Sequence, residues 1–419
     1  MERPRAVLLS QGDEVLTGQT VDTNAAWLAE RLTDLGFDIV LQMTVGDRLP
    51  ALAAAIDDCF RSGDLLVCTG GLGPTQDDLT SEAVAQVLGC ELQLDSDELE
   101  HIEALYASFG RRMAASNEKQ AWLPSASSAL RNNWGTAPGF LAEHAGSLGL
   151  FVPGVPREMH SFWQHHIRPI VQERFVLPGE RLRTLRCLGI AESRLATLLA
   201  PFAHLEGMAL GFRTKLPENQ VKLRFAPSMS AERESELVDA VRDTIGDAVF
   251  GVDCGPVEEV IGELLVAAGE TVATAESCTG GGLSAALTSV PGASRYFLEG
   301  SCVYANEAKV RTCGVDPAIL AASGAVSEPV AIQLARGVRV RADSTYGIGT
   351  TGIAGPGGGT PDKPVGTVHI AVATPTGVHH RRLRLAGSRE RVIRLTTGAA
   401  LDLFRRHLQG RTISDRPTP

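Results

Sequence analysis

The fold of the first part of this chain is decided by one segment, Asp64-Leu-Leu-Val-Cys-Thr-Gly-Gly-Leu-Gly-Pro-Thr-Gln-Asp-Asp-Leu-Thr80. Its first six residues contain a short apolar run, 65–68, and predict a buried strand. A glycine-rich turn follows, and residues 80–88 then have the pattern of a helix. A strand, a loop and a helix in this order are typical of a parallel sheet with helices on both faces.

The flanking sequence continues this alternation in both directions. Before the segment, residues 6–10 and 39–45 have strand patterns, and helix patterns lie around 27–35 and 50–61. After Val257 the alternation resumes. The helix patterns there are 257–268, 280–290 and 327–340, and the strand patterns are 271–275, 300–305, 345–350, 365–374 and 382–385. We therefore predict two α/β domains built on parallel sheets, residues 1–172 and 256–413.

A smaller module separates these two domains. Residues 181–190 and 220–226 have strand patterns, and 193–202 and 231–245 have helix patterns, so we predict an α+β connector over 173–255. The string Asp253-Cys-Gly-Pro256 is predicted to be the linker at the end of this connector. Residues 414–419 are predicted to be a frayed tail.

Composition limits the classes of function. The 419 residues carry a formal net charge of −10, which disfavours broad binding to phosphate backbones. The eight cysteines are scattered without a C-x-x-C pair, so neither a zinc ribbon nor a disulfide framework is predicted. No apolar run reaches the length of about 18 residues that a membrane span requires. We expect a cytoplasmic protein with no membrane partner.

Acidic residues and glycines follow three predicted strands of the first domain. They stand in Gly12-Asp13-Glu14 with Asn24, in Gly46-Asp47, and in the glycine-rich loop that ends in Asp77-Asp78. Loops at the carboxyl ends of parallel strands meet in one crevice. Glycine amides can hold phosphate there, and carboxylates can bind a Mg²⁺ ion that bridges phosphates. The alternative is that the glycines form a turn and the aspartates cap helices.

These strings resemble the CinA family (competence/damage-inducible protein A), whose N-terminal domain is similar to molybdopterin-binding domains. The match rests on Ser10-Gln-Gly-Asp-Glu-Val-Leu-Thr-Gly18 and Gly70-Gly-Leu-Gly-Pro-Thr-Gln-Asp-Asp-Leu-Thr80, and it continues through 117–121, 133–139 and 153–159. The resemblance implies metal-dependent cleavage of ADP-ribose to AMP and ribose 5-phosphate. It implies Asp47 and Asp78 as ligands of a divalent ion, Mg²⁺ or Co²⁺. The implied substrate-binding residues are Gly12, Asp13, Asn24, Gly70, Gly71 and Gly73.

A second candidate site follows the strand pattern at 271–275. The string Ala275-Glu-Ser-Cys-Thr-Gly-Gly-Gly282 places Ser277 just before a helix, where N–H groups can stabilise developing negative charge. A serine nucleophile needs a base, and Lys309 and Tyr304 are the nearest candidates. Cys278 is a rival nucleophile. The alternatives are that Ser277 caps the helix and that Lys309 is a surface residue.

A second glycine-rich loop supports this site. The string Thr350-Thr-Gly-Ile-Ala-Gly-Pro-Gly-Gly-Gly359 also follows a predicted strand, and its amides can be exposed to a ligand. Two such loops at one sheet edge predict a pocket for a phosphorylated small molecule.

Residues 257–410 resemble the nicotinamide-mononucleotide amidohydrolase family, which forms the C-terminal half of CinA proteins. The match rests on Ala275-Glu-Ser-Cys-Thr-Gly-Gly281, Gly300-Ser-Cys-Val-Tyr-Ala-Asn306 and Thr351-Gly-Ile-Ala-Gly-Pro356. The resemblance implies hydrolytic deamidation of nicotinamide mononucleotide without a cofactor, with Ser277 as the nucleophile and Lys309 and Tyr304 activating it. The implied pocket residues are Thr279, Gly280, Asn306, Thr351, Gly352 and Ala354, with Arg391 for the phosphate.

Other functions remain open on the sequence. The family resemblance implies a KH-like connector, yet residues 181–251 contain no G-x-x-G loop, which a KH module needs to clamp nucleic acid. Nucleic acid is therefore not an expected partner, and a homodimer is expected on family grounds. The chain could instead be a non-catalytic partner in competence or DNA repair. A pterin-binding nucleotidyltransferase is the third alternative.

Overall fold

The computed structural model describes residues 3–411. The chain forms two compact units, which meet in sequence between Glu180 and Arg181. The predicted tail at 414–419 lies outside the described residues, and the predicted boundaries at 172 and 255 stay predictions. Within residues 3–411 no helix combines the length and the apolar character needed to cross a membrane.

In the described part of the first unit, six strands form one sheet in the order β2-β1-β3-β8-β7-β6, and β4 pairs with β5. The strands are β1 (Arg5–Gln11), β2 (Asp38–Val45), β3 (Leu65–Thr69), β4 (Leu92–Leu94), β5 (Trp122–Pro124), β6 (Ser127–Leu130), β7 (Gly139–His144) and β8 (Ser147–Val152). The helices are α1 (Asp13–Leu16), α2 (Thr23–Leu35), α3 (Leu49–Ser62), α4 (Thr80–Leu88), α5 (Ser96–Ser108), α6 (Pro156–Phe162) and α7 (Arg168–Arg174).

This sheet is mixed rather than wholly parallel. Strands β2, β1, β3 and β8 run parallel, whereas β7 and β6 are antiparallel to their neighbours. The cause is a tight turn at Ala145 and Gly146, which both have positive φ. A turn of two residues can join only antiparallel strands. The predicted α/β fold class is confirmed, with an antiparallel hairpin added at one edge.

Apolar side chains cover both faces of the sheet. Ile56 and Phe60 of α3 lie in the core on one face, and Leu28 of α2 with Phe162 of α6 lies in the core on the other. All four side chains are fully or almost fully buried. Because both faces are closed by helices, the carboxyl ends of the strands are where polar side chains can surround a ligand.

The second unit begins with a small antiparallel sheet in the order β10-β11-β9-β12. Its strands are β9 (Arg181–Leu188), β10 (Met208–Lys215), β11 (Glu218–Phe225) and β12 (Val249–Val252), and its helices are α8 (Glu192–Leu199) and α9 (Ala231–Ile245). One apolar cluster, which includes Leu195, Leu223 and Val241, joins sheet and helices. The module is therefore α+β, as predicted, and its likeness to KH modules stays a prediction.

The rest of the second unit holds a sheet in the order β14-β13-β15-β16-β17. Its strands are β13 (Val272–Glu276), β14 (Phe297–Cys302), β15 (Tyr346–Gly352), β16 (Thr367–Ala373) and β17 (Val378–Arg384). The helices are α10 (Val257–Ala268), α11 (Gly282–Thr288), α12 (Asn306–Cys313), α13 (Pro317–Ser323), α14 (Glu328–Arg341) and α15 (Arg389–Leu408). Strands β14, β13 and β15 are parallel, so their carboxyl ends share one edge; β16 and β17 are antiparallel.

A buried charged cluster fastens α15 to the small module. Arg405 is 0% exposed and pairs with Asp402, and its guanidinium also donates to the backbone oxygens of Asp247 (3.0 Å) and Val249 (3.5 Å). Arg406 Nε donates to Asp402 Oδ2 at 2.9 Å. A buried charge is stable only when it is paired and hydrogen-bonded, so this helix and the start of β12 depend on each other.

Candidate functional site

A cavity of ≈630 Å³ opens in the first unit at the carboxyl ends of β1 and β3. Its volume lies in the range usual for small-molecule sites. The predicted site residues that line it are Gly12, Asn24, Asp47, Gly70, Gly71, Gly73 and Asp78. The predicted residue Asp13 is not part of the lining and lies instead against Asp47.

Asp13 and Asp47 brace the loops that follow β1 and β2. The Asp13 amide donates to Asp47 Oδ2 at 2.9 Å, and the Asp47 amide donates to Asp13 Oδ1 at 3.2 Å. Gln11 Nε2 donates to Asp47 Oδ1 at 2.9 Å. The Asp13 amide and the Gln11 side chain are neutral donors, so they fix the position of the Asp47 carboxylate without adding positive charge.

The glycine-rich loop after β3 is shaped by Asp78 and Gln11. Asp78 Oδ2 accepts hydrogen bonds from the Thr75 amide (2.8 Å) and hydroxyl (2.6 Å). Gly71 has φ +66°, and a Cβ there would collide with the Gln11 side chain, so glycine is required. Asp78 thus holds the turn and does not cap α4, in contrast to the alternative that the aspartates cap helices, and it also lines the cavity.

The cavity offers only part of a metal site. Within residues 3–411, no three or more His, Cys, Asp or Glu side chains are grouped so that they could hold a metal ion. Asp47 and Asp78 still line one cavity, and both present carboxylate oxygens. Mg²⁺ often binds through one or two carboxylates and completes its shell with water and phosphate oxygens. The residues therefore fit a divalent ion only together with a phosphorylated ligand.

Two further polar side chains lie at this cavity: Glu158, which was not predicted from the sequence, and Asn24, which was. Glu158 lines it, and its carboxylate accepts a hydrogen bond from Asn132 Nδ2 at 2.7 Å. Asn24 donates to the Gly154 oxygen at 2.7 Å, while its buried Oδ1 has no partner within residues 3–411. An unpaired buried acceptor costs about 1–3 kcal/mol, so a ligand that donates to Asn24 would recover that cost.

The second candidate site lies at the shared edge of β13, β14 and β15. Glu276, the last residue of β13, pairs with Cys302 of β14, and the Ser277 amide donates to the Thr350 oxygen at 3.0 Å. Ser277 is 9% exposed, and within residues 3–411 its hydroxyl has no hydrogen-bond partner. The side chain is therefore held at the strand ends with its hydroxyl uncommitted.

Glu276, which sequence analysis did not single out, caps helix α11. Its buried carboxylate accepts hydrogen bonds from the amides of Gly281 (3.1 Å), Leu283 (2.9 Å) and Ser284 (2.7 Å), and from the Ser284 hydroxyl (2.6 Å). The expectation that these helix amides face the Ser277 reaction is wrong, because the carboxylate occupies them. The capping alternative for Ser277 is also wrong, since Glu276 performs that role.

The cap makes a testable contribution to local stability. A Glu276→Gln amide keeps one acceptor oxygen and turns an NH₂ group toward the remaining donors. We expect a loss of about 2 kcal/mol, so the α11 amides should open and exchange hydrogen about thirtyfold more often. Hydrogen exchange measured on peptides that cover 278–289 checks this. The matched control is Glu263→Gln on the exposed face of α10. Unchanged hydrogen exchange in Glu276→Gln would show that the Glu276 cap does not stabilise α11.

Lys309 is a buried residue and not the surface residue of the alternative interpretation. It is 1% exposed, and its Nζ donates to the oxygens of Val303 (3.0 Å) and Tyr304 (2.8 Å). Burial lowers the pKa of Lys309, because the charged ammonium loses its hydration. The two carbonyls use two N–H groups, so a neutral amine would still satisfy them and keep a lone pair for a proton.

The Tyr304 side chain contacts an arginine that sequence analysis missed. Tyr304 is 58% exposed, and its hydroxyl accepts a hydrogen bond from Arg389 Nη2 at 2.9 Å. Arg389 Nη1 also donates to the Gly355 oxygen at 3.0 Å and so ties Tyr304 to the second glycine-rich loop. The predicted phosphate ligand Arg391 lies exposed in the same turn of α15.

Most of the other predicted pocket residues lie at this sheet edge. The Thr279 and Thr350 hydroxyls share a hydrogen bond of 2.8 Å, and Thr351 donates to the Ala325 oxygen at 2.8 Å. Gly280 has φ +62°, which suits the turn into α11. The remaining predicted residues are Gly352 at the end of β15, Ala354 just beyond it and Asn306 at the start of α12.

Burial works against Cys278 as a nucleophile. Burial raises the pKa of the Cys278 thiol to about 12, so the reactive thiolate is scarce at neutral pH. Within residues 3–411 no hydrogen bond joins Ser277 to Lys309 or Tyr304. Catalytic hydrogen bonds are often loose without substrate and tighten when it binds.

Comparison with known proteins follows the same division of the chain. Residues 7–173 match the family model described as probable molybdopterin binding domain, and residues 255–408 match the CinA C-terminal domain. A CinA-like protein of Anaeromyxobacter dehalogenans is 42% identical over 402 residues, which are 95% of this chain and 98% of the relative. The chain belongs to the CinA family.

Another CinA relative agrees with this membership, and one solved structure is similar to part of the chain. A CinA-like protein of Shewanella piezotolerans is 40% identical over 404 residues, which are 96% of this chain and 95% of the relative. The crystal structure of a CinA protein of unknown function from Thermoplasma acidophilum is 33% identical, with a TM-score of 0.38. It covers 40% of this chain and 98% of that one.

Proposed function

We propose that the C-terminal part of this CinA chain, acting in a cytoplasmic homodimer, hydrolyses nicotinamide mononucleotide to nicotinate mononucleotide and ammonia. The observation that supports this most is Ser277, with its uncommitted hydroxyl, at the edge that also carries Lys309. A buried lysine with a lowered pKa can act as a base for a serine nucleophile. Ammonia release, measured beside Ser277→Ala, tests the proposal.

The reaction uses groups of the chain and one water molecule. Ser277 Oγ attacks the carboxamide carbon, and its proton passes to the neutral Lys309 amine, directly or through Tyr304. The C–N bond breaks as the nitrogen takes a proton and leaves as ammonia, and an ester to Ser277 remains. Water then adds to the ester carbon, nicotinate mononucleotide leaves, and the proton returns to Ser277. No cofactor is needed.

Positive charge at the start of α15 supports a phosphorylated substrate. Arg389 and Arg391 lie in the first turn of α15, and both are exposed. Guanidinium groups bind phosphate through paired N–H donors. We propose that Arg391 binds the substrate phosphate, while Arg389 holds Tyr304 and the second glycine-rich loop in position.

We further propose that the first unit hydrolyses ADP-ribose to AMP and ribose 5-phosphate. The cavity supports this, because it combines glycine amides that can cradle phosphate with the Asp47 and Asp78 carboxylates. A divalent ion held by Asp47, Asp78 and the phosphate oxygens would neutralise negative charge on the pyrophosphate. Asp47 is fixed for this role by Gln11 and Asp13.

Removal of the Asp78 carboxylate tests the second activity. We expect Asp78→Ala to lower ADP-ribose hydrolysis at least about a hundredfold, because both the loop geometry and a charged ligand are lost. Ammonia release should not change. Asp95→Ala is the matched control, since Asp95 also accepts amide hydrogen bonds at a helix start but lies outside this cavity. An unaffected rate of AMP formation in Asp78→Ala would exclude Asp78 from the site.

A further inference from the structure

A second cavity of ≈520 Å³ adjoins the first one along the glycine-rich loop. The two cavities share five consecutive lining residues, 71–75, together with Asp78 and Gln120. The loop is therefore a wall that both cavities share.

Lys119 fixes the loop from the side of the second cavity. Its Nζ donates to the Thr75 oxygen at 3.0 Å and pairs with Glu82 Oε1 at 3.1 Å. Asp78 holds Thr75 through the amide and the hydroxyl. Because the loop is held from both sides, its position does not depend on a ligand, and this lowers the entropic cost of binding.

Trp122 gives the second cavity an aromatic wall. It is the first residue of β5, lines the cavity and is 38% exposed. Among residues 3–411 its ring has no stacked or edge-on aromatic neighbour. A single exposed tryptophan is unremarkable by itself. This indole, however, lines a cavity that borders the glycine-lined one, and a flat heteroaromatic ring can stack on it there.

We propose that the second cavity binds the base of a nucleotide, stacked on Trp122, while the phosphates of that nucleotide lie in the first cavity. This inference rests on the proposed ADP-ribose hydrolysis for its ligand and deepens it by dividing the site into two parts. Stacking on an indole depends on a flat ring and little on its substituents. The subsite therefore selects for the presence of a base and discriminates weakly among bases.

The location of the base can be tested by fluorescence on the full chain. All four tryptophans (Trp27, Trp122, Trp134 and Trp163) precede residue 181, so intrinsic fluorescence reports on the first unit. We expect AMP to quench this emission in the wild type and in Trp134→Phe, and to leave it unchanged in Trp122→Phe. Ribose 5-phosphate, which has no base, should quench none of them.

Affinity gives the second arm of the experiment. By calorimetry, Trp122→Ala should weaken AMP binding about tenfold or more, Trp122→Phe should restore most of the affinity, and ribose 5-phosphate binding should be the same in all three proteins. Equal AMP affinity in Trp122→Ala and wild type would overturn the proposal. AMP binding that depends on Trp122 without any ADP-ribose hydrolysis would support the subsite and contradict only the proposed hydrolysis.

Discussion

Ser277→Ala should abolish ammonia release from nicotinamide mononucleotide, with a loss of at least about a thousandfold in kcat. The hydroxyl is the group that forms the ester, and Thr350 and Glu276 hold the backbone on either side, so the variant should keep its fold. ADP-ribose hydrolysis should remain, because its cavity lies in the other compact unit. Ammonia and AMP are measured on the same preparations.

The neighbouring cysteine is the control for this experiment. Cys278→Ala changes the adjacent buried residue, whose thiol has a pKa raised to about 12 by burial. It should keep most of the deamidase activity. If Cys278→Ala is inactive and Ser277→Ala is active, the cysteine is the nucleophile. If Ser277→Ala loses both activities, the assignment of two separate sites is wrong.

Lys309→Arg should reduce deamidation by a similar factor, about a thousandfold, although the side chain keeps its positive charge. An arginine stays protonated in proteins and cannot accept the Ser277 proton. Lys309→Met is the companion variant, because it removes the amine and leaves an unbranched side chain in the buried position. Both variants should leave ADP-ribose hydrolysis unchanged.

The pH dependence of the wild type follows from the same residue. Burial lowers the pKa of Lys309 below its usual value of 10.5, so the neutral amine is populated at a lower pH than for an exposed lysine. The rate should therefore rise with pH up to the lowered pKa and level off above it. The free energy of unfolding should change in the same direction as the rate. The unfolded chain binds the Lys309 proton more tightly than the folded chain, so the free energy of unfolding falls as the pH drops from 10.5 to the lowered pKa.

Two results would contradict this role of Lys309. One is an active Lys309→Arg variant, which would show that no proton has to be taken up at this position. The other is a wild-type rate that does not change across the alkaline range. Steady-state kcat, measured between pH 6 and roughly pH 10, distinguishes these outcomes from a loss of substrate binding, which would appear in KM.

The sequence was a good guide to the elements that have regular patterns. The helix predicted at 257–268 is α10 (Val257–Ala268), and the strand predicted at 64–69 is β3 (Leu65–Thr69). Short elements were missed, among them β6, β7 and β10, because a run of four to eight residues interrupted by serine, glycine or charges carries little periodicity. The antiparallel direction of β16 and β17 could not be predicted, since periodicity within a strand does not report the direction of its neighbour.

The site was predicted less completely, for two separate reasons. Glu276 was missed, although its position carries a signal. A carboxylate at the end of an apolar strand is a buried charge that needs partners, and the glycines that follow it can donate their amides. Arg389 was missed in favour of Arg391, because spacing alone does not show which side of a helix meets Tyr304.

The buried pairing of Arg405 has a consequence for how the second unit comes apart. Its guanidinium is satisfied by Asp402 within α15 and by the backbone oxygens of Asp247 and Val249 next to β12. If the small module detached, this charge would lose two of its acceptors while still enclosed, at a cost of several kcal/mol. Heating should therefore melt the connector and the last helix in one cooperative transition, even though β12 ends at Val252 and α15 begins only at Arg389.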